Sequence, residues 1–154
     1  MPSTDTSFTT VFTVPREPLD VFDAINDVRA WWDGDIDGET AELGDVFTYR
    51  HEPQHISTQR ITESVPGEHV AWHIDDAFLS FISDPTEWVG TTIVFDLTPT
   101  GDGGTEVRFT HRGLVPTIEC FDACSNAWGY YVGEGLRKFV LTTAARSSDV
   151  SPVP

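Results

Sequence analysis

Apolar positions recur along this chain with two different spacings, and the change from one to the other predicts its elements. Ser7–Val14 is dense in β-branched and aromatic residues and is closed by Pro15, which reads as a first strand. Pro18 then suits the first turn of a helix in which Leu19, Phe22 and Ile25 form a stripe, with Asp20, Asp23 and Asp27 facing outward. A second short turn spans Val28–Trp32. Strands are expected at about 35–40 and 45–52, between the glycines Gly34, Gly38 and Gly44. The segment 55–65 is strand-like, but Ile56, Ile61 and Val65 follow no clean alternation, so its inward face stays open. Val70, Trp72 and Ile74 alternate, and a further short strand is expected around 78–82 before Pro85. Two runs, 91–98 and 105–112, flank the turn TGDGG, with Ile93, Phe95 and Leu97 on one face of the first arm and Val107, Phe109 and His111 on one face of the second.

From 117 to about 144 the spacing becomes helical: Ile118, Phe121, Cys124, Trp128, Tyr131, Gly135, Phe139 and Val140 recur in steps of three and four. Thr117 after Pro116 is the expected cap, acids occupy the first turn, and Arg137, Lys138 and Arg146 lie toward the end. Such a helix would run about 40 Å and must lie across something broad. Strand, two short helices, about six antiparallel strands and one long helix make an α+β domain, with the helix covering one face of the sheet. The 154 residues fit one domain, with 1–6 and 146–154 as frayed ends.

Composition narrows the partners. A hydrophobic fraction of 39% and five Trp with ten Phe require a folded core. Acids outnumber bases 25 to 9, giving a formal charge of −16, and Lys138 is the only lysine. No basic patch exists to neutralise phosphates, so neither nucleic acid nor an anionic membrane surface is an expected partner. The start MPSTDTS has no basic and apolar run of a signal peptide, and Cys120 and Cys124 are too few for a stapled secreted fold. The expected location is the cytoplasm.

The segments VFDAINDVRAWW (21–32), GDVFTYR (44–50), ITESVPGEHVAW (61–72), EWVGTTIVFDL (87–97) and THRGLVPTIECFDACSNAWGYYVGEGLRKF (110–139) resemble the START-like, helix-grip superfamily. More narrowly, they resemble the homologues of the activator of heat-shock protein 90 ATPase. That resemblance implies a curved sheet of six or seven strands wrapped around the C-terminal helix and enclosing an apolar cavity. Superfamily members include lipid carriers, hormone receptors, polyketide cyclases and co-chaperones, so the fold is better specified than the function.

Three function classes follow. The first is binding of a small hydrophobic or aromatic molecule between sheet and helix, with Trp31, Trp72, Phe95, Phe109, His111, Trp128 and Tyr131 as the expected lining and no catalysis. The second, implied by the resemblance, is a co-chaperone with a chaperone as its partner. The third is a cyclase-like enzyme using His111 with Glu119 as base and acid. His111 can equally be a core histidine satisfied by hydrogen bonds, and Glu119 an exposed partner of the helix dipole. Zinc on Cys120, Cys124 and His111 would lack a second cysteine pair, so no metal and no cofactor are expected. A monomer or a homodimer fits equally.

Overall fold

Antiparallel pairing carries most of the architecture. The structure, a computed structural model, describes residues 7–32, 34–51, 55–80, 82–116 and 118–142. Seven strands, β1 (Phe8–Val14), β2 (Asp35–Gly38), β3 (Val46–His51), β4 (His55–Val65), β5 (His69–Leu79), β6 (Thr92–Pro99) and β7 (Thr105–Arg112), form one sheet in the order β1-β7-β6-β5-β4-β3-β2. Every neighbouring pair is antiparallel. Helices α1 (Pro18–Asn26) and α2 (Val28–Trp31) therefore carry the chain from one edge of the sheet to the other. The expected hairpin forms: Ile93 pairs with His111, Phe95 with Phe109 and Leu97 with Val107, all inward. Its turn places Gly101 and Gly103 at φ 90°, a conformation that glycine adopts without strain.

Two bulges explain the irregular middle strands. Thr62 of β4 and Asp75 of β5 have no partner in register, so each strand carries one extra residue. In β5 the inward set is Val70, Trp72 and Ile74 before the bulge and Ala77 and Leu79 after it. One inserted residue changes the parity. The two short strands expected here are thus one strand, His69–Leu79, and of the segment 78–82 Phe81 lies outside the described residues. In β4 the inward residues are Ser57, Gln59 and Ile61, two of them polar.

The C-terminal helix is 22 residues long and not uniform. It runs as α3 (Phe121–Trp128), a π-helical segment (Gly129–Leu136) and α4 (Arg137–Thr142). Its buried positions are Cys120, at the cap, then Cys124, Trp128, Val132, Leu136 and Val140, every fourth residue. In a regular α-helix a four-residue step overshoots a turn by about 40°, so five such steps would carry the stripe halfway around. The wider turns of the π segment bring it back over the sheet. This corrects the expected stripe: Ile118, Phe121, Tyr131 and Phe139 are only partly buried. The expected cap Thr117 lies outside the described residues, and the Glu87 carboxylate caps the helix, accepting the N–H groups of Glu119 (2.9 Å) and Cys120 (3.1 Å). In α1, Leu19 is 47% exposed and Asp20 is buried, the reverse of the expected pattern.

Candidate functional site

Sheet and helix do not close on each other everywhere. Near the N-terminal half of the helix they leave a pocket of about 300 Å³, lined by Trp32, Tyr49, His51, His55, Trp88, Ala123, Cys124, Ala127, Trp128 and Tyr131. Five separate pieces of chain supply these walls, the C-terminal helix and four others. Trp32 follows α2; Tyr49 and His51 alternate inward on β3; His55 opens β4 opposite His51. Trp88 comes from the loop before β6. That loop is tied to the helix from both sides: Glu87 caps α3, and the Glu119 carboxylate accepts the Ser83 N–H at 2.9 Å.

Ala123, Ala127 and Tyr131 form a ridge of the helix at four-residue spacing, next to the buried stripe. Both alanines are exposed, and a methyl at each leaves open the space that a larger side chain would occupy. Apart from the Cys124 thiol, rings make up the rest. Trp32 stacks on Tyr49 with centroids 3.9 Å apart, Trp88 stacks on Trp128 at 5.8 Å, and His55 meets the Trp88 ring edge-on at 4.6 Å. Among the described residues, no lysine, arginine, aspartate or glutamate lines the pocket.

Two histidines flank Trp88 and differ in what their nitrogens touch. The His111 ring is fully buried. Its Nδ1 accepts the Trp128 indole N–H at 3.0 Å, and its Nε2 lies 2.8 Å from Thr91 Oγ1. Thr91 spends its own proton on the Trp88 carbonyl at 2.6 Å, so Nε2 must be the donor. Both nitrogens are used. Burial, with His55 nearby adding to it, pushes His111 down to about 3.

His55 has a different ledger. Its Nε2 lies 2.8 Å from Ser57 Oγ. The Gln59 amide satisfies both its ends in one orientation: nitrogen to the carbonyls of Ser57 and Phe47 (3.2 Å each), oxygen accepting from Ser57 Oγ at 2.5 Å. The serine proton is then taken, and His55 must give Nε2–H to Ser57. Its Nδ1 is left as a lone-pair acceptor, and no group among the described residues meets it. Burial, reinforced by His51, pushes His55 down to about 3, so this nitrogen stays unprotonated at neutral pH. Cys124, also on the wall, shares a hydrogen bond with Cys120. That bond and burial push the Cys124 thiol up, while the same bond outweighs burial at Cys120 and lowers it. Both cysteines are free.

With this geometry in hand, likeness to known proteins can be placed. The family model described as activator of Hsp90 ATPase homolog 1-like protein matches residues 16–140. The chain belongs to this family. Solved structures of the same fold include the Aha1 dimer from Colwellia psychrerythraea, 21% identical over 88% of this chain and 96% of that one, with a TM-score of 0.69. Protein MLL2253 from Mesorhizobium loti is 17% identical over 88% of this chain and 98% of that one, at 0.68. DynU16, from the dynemicin biosynthetic locus, is 15% identical over 90% of this chain and 48% of that one, at 0.63. At these identities the likeness is one of fold. No curated protein matches the chain by sequence.

Within this family member, the residues expected to line a cavity divide into two groups. Trp128 and Tyr131 are on the pocket wall. Trp31, Trp72, Phe95 and Phe109 are instead packed against one another and buried, with Trp72 stacked on Trp31 at 6.3 Å and Phe95 edge-on to Phe109 at 5.1 Å. His111 lies behind the wall, bonded to Trp128. His111 and Glu119 make no acid–base pair, since Glu119 is exposed and holds the Ser83 N–H. Among the described residues, no group of three or more His, Cys, Asp or Glu is arranged to hold a metal ion. No described helix is long and apolar enough to cross a membrane. Sequence reasoning missed Trp32, Tyr49, His51, His55 and Trp88. Alternation along Phe47, Tyr49 and His51 was the available signal for two of them.

Proposed function

We propose that this protein binds a small, flat, largely apolar molecule in the pocket between the sheet and the first half of the C-terminal helix. The observation that carries this reading is the pocket itself: about 300 Å³, walled by five aromatic side chains and roofed by two alanines. A dry cavity of roughly 150 Å³ holds one benzene ring, so a bicyclic aromatic matches the available space. Fixed ring walls give such a ligand stacking surface without ordering new side chains.

The test is NMR titration with benzofuran, following the indole N–H signals of Trp32, Trp88 and Trp128. Saturable shifts are expected in the wild type and should vanish in Ala127→Trp, which fills the roof. Shifts of equal size in both proteins, or none in the wild type with benzofuran, indole or 1-methylindole, would end this reading.

A second reading, regulation of a chaperone ATPase, is favoured by the family model matching residues 16–140. It predicts a change in the cognate chaperone's ATPase rate on adding the protein; an unchanged rate removes it. Homodimer formation, the state named for the Colwellia structure, is checked by native mass spectrometry.

A further inference from the structure

We propose that the pocket selects an aromatic ligand bearing an O–H or N–H donor, which it receives at Nδ1 of His55. The inference rests on the pocket being a ligand site and adds the chemical class of the ligand.

It comes from counting protons along the chain Gln59, Ser57, His55. Gln59 is fully buried between the backbone carbonyls of Ser57 and Phe47, which fixes its oxygen toward Ser57. Ser57, itself buried, has one proton and gives it to that oxygen. It can therefore only accept from His55, whose single N–H is then committed to the wall at 2.8 Å. What His55 presents elsewhere is an acceptor that no described residue meets, on a wall of rings, two alanines, a thiol and the His51 imidazole. Protonation cannot satisfy it at neutral pH, because burial holds the ring neutral.

Ligands sort accordingly. A ligand carbonyl or ether oxygen aimed at His55 would face a lone pair and gain nothing. A carboxylate would find no lysine or arginine among the described lining residues and would enter a chain of formal charge −16. A phenol, an indole or an aromatic amine supplies the missing proton. The Tyr131 hydroxyl and the His51 imidazole of the wall can each donate or accept, so the discrimination falls to His55. A wall that offers an acceptor favours the ligand carrying a donor over the isostere that lacks it.

Three ligands of nearly one shape separate the possibilities: indole, with an N–H; benzofuran, with an oxygen in its place; and 1-methylindole, with the donor blocked. Titrated against the wild-type protein, indole should bind about tenfold more tightly than either of the others. The His55 Nδ1 signal in 15N NMR should move on adding indole and stay in place with benzofuran. In His55→Phe, which keeps a ring but removes the acceptor, indole should fall to the affinity of benzofuran. Equal affinity of indole and benzofuran for the wild type, or an unmoved Nδ1 signal, overturns the donor rule while leaving the pocket a ligand site. If none of the three binds, the site reading fails and this inference goes with it. The wild-type comparison decides the matter even should the variant fold poorly.

Discussion

His111 and His55 stand on either side of Trp88, both neutral and both held there by burial, yet one is finished and the other is not. His111 has a partner for each nitrogen, and both partners belong to the core, so its work is structural: it ties the helix, through Trp128, to the loop before β6, through Thr91. Among the described residues His55 has one hydrogen-bond partner, and its second nitrogen meets none. A buried histidine near a pocket is thus no indicator of function until its nitrogens have been counted.

Acidification should strain this pair most. Each ring has a pKa near 3 in the folded chain and near 6.5 when unfolded, so between those values the unfolded chain binds more protons and stability falls as pH falls. The slope should reach about 1.4 kcal/mol per pH unit for each ring around pH 4–6, read from urea midpoints across pH. His111→Ala and His55→Phe should each make that slope shallower; an unchanged slope in either would mean that the ring is not held neutral. His69 works in the opposite direction. Burial lowers it, but hydrogen bonds to Asp96 and Glu63 outweigh that and raise it, so its contribution is complete below pH 6.5 and is lost as pH climbs through its raised value.

The difference between the rings should also appear at constant pH. His111→Ala opens a cavity and strands the Trp128 N–H, and should cost about 3 kcal/mol in chemical denaturation. Thr91→Val keeps the shape but removes the acceptor of the His111 proton, with an expected cost of about 1–2 kcal/mol. His55→Phe should cost under about 1 kcal/mol and change ligand choice instead. Were His55→Phe to destabilise as strongly as His111→Ala, the contrast between a finished and an unfinished ring would be wrong.

Much of the fold is legible before any coordinates. The turn TGDGG fixes the β6–β7 register, and Pro18 opens α1 as expected. What escapes is local and has physical causes. An inserted Asp75 flips the parity of β5 and made one strand look like two. The inner face of β4 is carried by Ser57 and Gln59, so a search for apolar alternation cannot find it. Yet those two polar residues set the tautomer of His55, which makes the unreadable strand the one that matters most for the site. The helix was read with a 3.6-residue period, while Gly129, Gly133 and Gly135 lie in a π segment whose wider turns bury Val132 and Leu136. Which rings face the pocket depended on the sheet's curvature, which no single strand encodes.

Ala123 and Ala127 belong to the wall but not to the core, since both are exposed while their neighbours Cys124 and Trp128 are buried. The recess can therefore be reshaped at two sites whose replacement leaves the buried core untouched. Its outline and the packing that holds the molecule together are set by different residues, two methyl groups for the one and the tryptophans beneath them for the other.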